Sequence, residues 1–206
     1  MVRELLRHLF PRAVPSATLG ITYSFCLGGL AFTCLLVLAF TGLLLLFYYS
    51  PTPADAHRSI QFLEASVWGG AFLRSLHRLA SHALILLLAL HTLRVMLTGA
   101  FQAPRRFNWV VGCMSLFACV FEAYSGYLLP MDQLGYWATQ TGMELVRALP
   151  LGGALRTVFV PDSVGGPLTL LRFFALHVAV LPLLIFALST LHFFVIRRQR
   201  GLLPYL

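Results

Sequence analysis

Four histidines lie in two apolar stretches of the chain at nearly equal spacing. His91 follows His77 at position i+14, and His192 follows His177 at position i+15. On an ideal helix these separations correspond to about 21 and 22 Å along the axis, with offsets of about 40° and 60° around it. Two such helices side by side would present histidines to each other at two matching depths. Because neutral imidazole is an axial ligand of electron-carrying haem iron, the spacing predicts two bis-histidine haem sites.

A third histidine in the first of these stretches is not expected to be a ligand. His82 follows His77 at position i+5, which directs it about 140° away on a helix. We therefore expect a hydrogen-bonded packing role for His82.

The composition indicates a membrane protein. Of 206 residues, 59% are hydrophobic and only 11% are charged, which is far more apolar than a soluble domain of this length requires. All 15 basic residues are arginines, and the formal net charge is +8. The arginines flank apolar stretches and do not form one basic face, so they predict membrane orientation and not nucleic-acid binding.

Four apolar stretches predict four membrane-spanning helices, at about residues 23–49, 74–99, 109–129 and 168–196. Residues 1–15 predict an interfacial amphipathic segment. No linker rich in small polar residues divides the chain. The expected fold is an all-α membrane protein, in which residues 1–206 form a single four-helix bundle with two haems between the second and fourth spans.

The charged residues predict how this bundle is oriented. Most arginines fall on one side of the four spans, whereas the opposite connections carry most of the acidic residues. Arginines are enriched on the negative side of a membrane. Both termini are therefore expected on the negative, cytoplasmic-type side of the membrane. His77 and His177 then lie near the positive side, and His91 and His192 near the negative side. The arginines of the termini side are Arg3, Arg7, Arg12, Arg105, Arg106, Arg197, Arg198 and Arg200.

Two glycine pairs repeat the histidine spacing. Gly28 and Gly42 in the first span stand at positions i and i+14, as do Gly112 and Gly126 in the third. A residue without a side chain lets a flat macrocycle approach the backbone closely. The alternative is that small residues ease helix packing in lipid. Two pairs in the same register favour the haem interpretation.

Several segments of the sequence resemble the cytochrome b6 family, the four-helix subunit of cytochrome b6f and related quinol-oxidising complexes. They are FCLGG, TGLLLLFYYSPT, RSLHR, LHTLRVMLTGAF, GYLLPMDQLGYWA, LRFFALHVAVLPLL and LHFFVIRRQ, which together extend over nearly the whole chain. The i+15 spacing in the fourth span fits the b6 branch, since the fused mitochondrial cytochrome b uses i+14. The resemblance implies that the four histidines bind two b haems. It also implies that Arg74 and Arg78 neutralise haem propionates, while Arg94 and Arg197 serve the negative side.

The resemblance also implies a role for Cys26. In the family, the cysteine of the CLGG segment bonds covalently to an additional c-type haem beside the inner quinone site. The sequence contains no CxxCH motif for an ordinary c-type attachment. The alternative is a buried thiol that packs as a small hydrophobic group, which is our interpretation of Cys34, Cys113 and Cys119.

The sequence departs from the family pattern at two places. Pro130-Met131-Asp132-Gln133 stands where members commonly have Pro-Trp-Asp-Gln, and Glu122 stands within the third span, where members are usually apolar. An intramembrane carboxyl is costly and is usually functional. We predict that Glu122 relays protons from quinol. The alternative is that it pairs with an arginine of a partner subunit.

The resemblance implies a subunit of a quinol:cytochrome c or plastocyanin oxidoreductase that is not active alone. It also implies a bacterial inner membrane or a thylakoid, with both termini on the cytoplasmic or stromal side. One electron of the quinol would pass to a Rieske iron–sulfur protein. The other would cross the membrane through both haems to quinone, with proton translocation. The implied partners are the Rieske protein, a subunit IV-like chain and a c-type cytochrome subunit, in a homodimeric complex. The alternatives are a di-haem anchor of another quinone-linked oxidoreductase, such as a hydrogenase or formate dehydrogenase, and a non-redox four-helix membrane protein.

Overall fold

The computed structural model describes residues 25–198, and every described element is helical. In chain order these are α1 (Leu27–Leu46), α2 (Ala56–Ser66), α3 (Gly70–Leu97), α4 (Arg106–Leu128), α5 (Gln133–Arg147), α6 (Gly152–Phe159), α7 (Pro167–Ala175), a π-helical turn (Leu176–Val180) and α8 (Leu181–Arg198). The expected interfacial segment at residues 1–15, and Arg3, Arg7, Arg12 and Arg200, lie outside the described residues.

Four of the described helices are long and apolar enough to cross a membrane. They are α1, α3, α4 and the continuous stretch Pro167–Arg198, which joins α7, the π turn and α8. At most 22% of the apolar window of any of these spans is buried inside the chain. Most of their apolar side chains therefore face outward, as they do against lipid. The expected fold class, an all-α membrane protein with four spans, is confirmed.

The spans pack as two antiparallel pairs, α1 with α3 and α4 with α8. One layer of buried side chains joins all four spans: Ala31, Leu35, Leu84, Ala118, Cys119 and Ile185. Leu84 stands at the midpoint of the segment between His77 and His91, so this layer lies midway between the two histidine depths. This apolar layer therefore separates the level of His77 and His177 from the level of His91 and His192.

The connection between α4 and α7 folds over one end of the bundle. Leu128, Met143, Val160 and Phe173 form a second buried cluster there. The hydroxyl of Tyr49 donates a hydrogen bond to the carbonyl of Leu129 at 2.6 Å, which ties the end of the first span to the end of the third.

Two aspartates accept hydrogen bonds from the first turns of α5 and α7. The Asp132 carboxylate accepts a hydrogen bond from the Gly135 amide at 2.7 Å at the start of α5. Asp162 accepts hydrogen bonds from the amides of Leu168 and Thr169 and from the Thr169 hydroxyl at the start of α7. These bonds satisfy amides that have no partner within the first turn of a helix. The direction of α7, and with it the approach to His177, is held at this point.

Candidate functional site

The bundle brings the four histidines together as two facing pairs. The ring centroids of His77 and His177 are 6.3 Å apart with 76° between the ring planes. Those of His91 and His192 are 6.5 Å apart with 80° between the planes. We call these the upper pair and the lower pair. Two imidazoles on opposite sides of one metal, each with a metal–nitrogen bond of about 2 Å, place their ring centroids about 6 Å apart. Both pairs have this separation.

A hydroxyl from α1 orients the first ring of the upper pair. Thr41 Oγ1 lies 2.8 Å from His77 Nδ1 and 2.7 Å from the Val37 carbonyl oxygen. Because the hydroxyl has one hydrogen, which it donates to the carbonyl, it accepts a hydrogen bond from Nδ1–H of His77. The Nε2 atom of His77 then keeps its lone pair for a metal.

The second ring of the upper pair lies against α4. His177 Nδ1 is 3.1 Å from the Glu122 carbonyl oxygen and 3.2 Å from Ser125 Oγ. Ser125 Oγ itself donates to the Glu122 carbonyl at 2.8 Å. Both neighbouring oxygens therefore act as acceptors, so Nδ1 of His177 carries the hydrogen. Its Nε2 is also left available as a ligand.

One glycine lies against each of the four histidine rings. A Cβ added to Gly28 would lie 3.4 Å from Cε1 of His91, and one added to Gly112 would lie 3.2 Å from Cε1 of His192. In the upper pair, Gly42 lies against His77 in the same way, and a Cβ at Gly126 would overlap the ring of His177. The missing side chains leave space for the ligand rings in this structure. That the same glycines admit a macrocycle stays a prediction.

The π turn explains how the i+14 and i+15 spacings serve the same purpose. The amide of Leu181 donates to the carbonyl of Leu176, five residues earlier, and His177 lies inside this turn. A π turn accommodates one residue more than an α-helix does. The i+15 spacing from His177 to His192 therefore aligns the two rings nearly as i+14 would. Pro182 stands two residues after the turn, and its missing N–H already weakens the regular helical pattern there.

The expected propionate arginines occupy different environments. Arg74, near the start of α3, forms an ion pair with Glu64. Arg94 lies close enough to His91 to interact with it electrostatically. Arg78 and Arg197 are exposed. A propionate at the upper pair would have to share Arg74 with Glu64. The roles of all four arginines stay predictions.

Cys26 directly precedes α1, and its side chain is exposed. Its backbone is in the left-handed region, with φ of 51°. Gly28, two residues later, faces His91, so Cys26 lies at the lower-pair end of the bundle. Among the other cysteines, Cys119 is buried as expected, while Cys34 and Cys113 are partly exposed. His82 is exposed and does not have the packing role expected of it.

Sequence reasoning missed Thr41, Ser125 and the π turn. A signal for the two hydroxyls was present. Each directly precedes a glycine of the upper pair, as Thr41-Gly42 and Ser125-Gly126, whereas Leu27 and Val111 precede the glycines of the lower pair. Glu122 had been predicted as a proton relay. The structure places its Oε1 3.2 Å from Nδ1 of His177. Its relay role stays a prediction.

Four spans with two facing histidine pairs are typical of the di-haem b cytochromes. The profile of the family Cytochrome b/b6/petB matches residues 13–200. The chain is 40% identical over 199 residues to "Cytochrome b6" of Heliobacterium modesticaldum, covering 96% of this chain and 92% of that protein. It is 41% identical over 176 residues to "Cytochrome b6" of Chlamydomonas reinhardtii, covering 85% of this chain and 82% of that protein.

A solved structure is similar over the same region. A chain of "Hyperthermophilic respiratory Complex III" superposes with a TM-score of 0.83 and 27% identity, covering 96% of this chain and 52% of that one. The present chain thus spans about half of the length of that chain.

The chain belongs to the cytochrome b/b6 family. It is an integral membrane, electron-transfer subunit of a b6f/bc-type quinol-oxidising complex, and membership implies haem b as its cofactor.

Proposed function

We propose that His77 and His177 hold one haem b and that His91 and His192 hold the second, within a single domain of residues 1–206. The observation that carries this proposal is the pair of ring separations, 6.3 and 6.5 Å, which suit two axial ligands on one iron. The glycine beside each ring also supports the proposal. A Cβ at any of these four positions would lie 3.4 Å or less from the ring.

Bound haem supplies one-electron transfer, and the side chains of this chain hold and separate the two sites. Thr41 and Ser125 fix the ring orientation and the tautomer at the upper pair. The apolar layer around Leu84 and Ile185 excludes water between the two levels. His77 and His91 are about 21 Å apart along α3. The chain thus provides an electron path through the apolar part of the membrane.

We further propose that quinol is oxidised near the upper pair and quinone is reduced near the lower pair. The partners in this reaction are a Rieske iron–sulfur protein, a subunit IV-like chain and a c-type cytochrome subunit, in a homodimeric complex. Arg74, Arg78, Arg94 and Arg197 are proposed to face haem propionates. These assignments rest on the family resemblance of the segments around the four histidines.

We propose that both termini lie on the negative side of the membrane. Support comes from Arg105, Arg106, Arg197 and Arg198 at the lower-pair end of the spans, where the described part of the chain has no acidic residue. At the other end, Glu64, Asp132, Glu144 and Asp162 are mixed with arginines. A reporter fused after Leu206 that is active only on the negative side should be active. If a reporter that is active only on the positive side were active at this position, the proposed orientation would be wrong.

The haem assignment is tested by the haem content of the purified complex. Pyridine haemochrome analysis should give two b-type haems per chain, with bis-imidazole difference spectra. Fewer than two b haems per chain would overturn the assignment. A di-haem anchor of another oxidoreductase would give the same haem count but no quinol oxidation in the assembled complex.

We propose that Cys26 carries an additional, covalently bound c-type haem. An exposed thiol at the lower-pair end suits this role. The left-handed backbone costs about 1–3 kcal/mol for a residue other than glycine, which is a sign of a functional constraint. Denaturing electrophoresis should give a haem-stained band for the wild type and for Cys34→Ser, and none for Cys26→Ser. A wild type without a stained band would refute the covalent haem.

A further inference from the structure

The carboxyl group of Glu122 lies directly behind one ligand of the upper pair. Its Oε1 is 3.2 Å from Nδ1 of His177, and its side chain is 20% exposed. Its Oε2 is buried and has no hydrogen-bond partner among the described residues. The proximity of Oε1 to the ring N–H is therefore the polar contact that the structure provides for this carboxyl group.

The geometry of α4 creates this contact. Glu122, Ser125 and Gly126 are at positions i, i+3 and i+4, so they share one face of the helix. Gly126 lets the His177 ring approach the α4 backbone, because any Cβ there would overlap the ring. The ring then lies within reach of the Glu122 carbonyl, the Ser125 hydroxyl and the Glu122 carboxyl group.

The lower pair offers a comparison within the same chain. Asn108 precedes Glu122 by the same i+14 interval that separates Gly112 from Gly126. The backbone of Asn108 faces His192 as that of Glu122 faces His177. An amide therefore stands at the lower level where a carboxyl group stands at the upper one, and Nδ1 of His192 has no hydrogen bond of standard geometry within the described part of the chain.

We propose that Glu122 is a positioning residue that accepts a hydrogen bond from Nδ1–H of His177 and thereby lowers the reduction potential of the upper haem. This inference rests on the proposed function, in which His177 is an axial ligand. An acceptor on Nδ1–H raises the basicity of the ring and strengthens its bond through Nε2, which favours oxidised iron.

The test is a redox titration of the assembled complex, in which the two b haems are followed by their visible bands. Glu122→Leu removes the acceptor oxygen, whereas Glu122→Gln keeps the shape and an acceptor oxygen. We expect the reduction equilibrium of the upper haem to shift towards the reduced state at least fivefold in Glu122→Leu, about 40 mV at about 59 mV per tenfold, and less in Glu122→Gln. The lower haem should be unchanged. The upper haem is identified as the one that remains in His91→Ala.

Glu144→Gln is the matched control, because Glu144 is also a glutamate but is exposed on α5. Both haem potentials should be unchanged in it. An unchanged upper-haem potential in Glu122→Leu would overturn the proposal, and slowed turnover in Glu122→Gln would then favour the proton relay. Loss of the upper haem from Glu122→Gln would also overturn it, because a residue that tunes the potential is not required for binding. If the wild type contains two b haems but the upper-haem potential does not shift in Glu122→Leu, only this inference is refuted. If the wild type contains fewer than two b haems, the proposed function is refuted.

Discussion

The upper and lower histidine pairs have the same geometry but different surroundings. Their ring separations are nearly equal, at 6.3 and 6.5 Å, and each ring lies against a glycine. The upper rings have Thr41, Ser125 and Glu122 at their Nδ1 atoms. At the lower pair, Nδ1 of His192 has no standard hydrogen bond to the described residues. Helix spacing can thus produce two equal sites whose chemistry is then set by a few neighbouring residues.

The two pairs also differ in the helical winding at one of their ligands. His91 and His192 lie in regular α-helix, whereas His177 lies in the π turn. A ligand in regular helix is aligned by spacing alone. His177 is aligned by a local change of helical winding, which makes its position dependent on the residues around Pro182.

The largest expected effect is the loss of one haem from a single pair. His91→Ala removes one axial ligand of the lower pair, so haem content should fall from two b haems to one, with the upper haem retained. Pyridine haemochrome analysis measures this. The control is His82→Ala, which changes an exposed histidine of the same helix and should keep both haems. Equal loss of both haems in a folded His91→Ala protein would contradict the pairing.

Single-residue deletions separate the two modes of alignment. Deleting Leu88 from α3 rotates His91 by about 100° relative to His77, so the lower haem should be lost. Deleting Val180 from the π turn leaves an i+14 spacing, the same as in α3, and both haems should remain. Haem content and difference spectra of the two variants provide the measurement. If the Val180 deletion lost a haem and the Leu88 deletion did not, the role given to the π turn would be wrong.

Substitution of a glycine should weaken haem binding more at Gly126, in the upper pair, than at Gly28, in the lower pair. Gly126→Ala places a Cβ into the ring of His177, which its hydrogen bonds hold in place. We expect at least a tenfold loss of affinity for the upper haem, since disturbing the groups that orient a metal ligand costs about 10–100-fold in metal affinity. Gly28→Ala makes a 3.4 Å contact with His91 and should change lower-haem affinity less than twofold. Haem transfer to apomyoglobin compares the affinities, and a stronger effect of Gly28→Ala would reverse the expected order.

Substitution of Asp162, which holds the start of α7 on the side of the upper pair, should have the smallest effect, and this effect is on stability. A hydrogen bond from Thr169 and backbone amides lower the pKa of Asp162 from 3.8 to about 2, against a weaker effect of desolvation. Because the folded pKa is lowered, its stabilising contribution is complete above about pH 4 and is lost as the pH falls through about 2. Asp162→Ala should lower stability by about 1 kcal/mol or less near neutral pH, and the difference from wild type should shrink as the pH falls through about 2. Thermal unfolding at both pH values tests this, and a difference that grew on acidification would contradict it.

Much of this architecture could be predicted from local sequence. The four spans follow from apolar length, because every backbone polar group in lipid must bond within its own helix. The two depths of the histidine and glycine positions follow from the axial rise of an α-helix, which is about 1.5 Å per residue in any sequence. The antiparallel order follows from four spans joined in sequence. None of these features depends on how two helices pack against each other.

The contacts around each ring depend on the rotation of one helix against another, which spacing along the chain does not set. Packing of the spans brought Thr41 to His77 and Glu122 to His177, each from a different helix. Packing of α2 on α3 joined Arg74 to Glu64 in the same way. The π turn is a local deviation, but its position at His177 is stabilised by packing on α4. Local sequence therefore predicts the depths of the four ligands, whereas helix packing selects which atoms stand behind each ring, since side-chain contacts change with a small rotation of a helix and the axial rise does not.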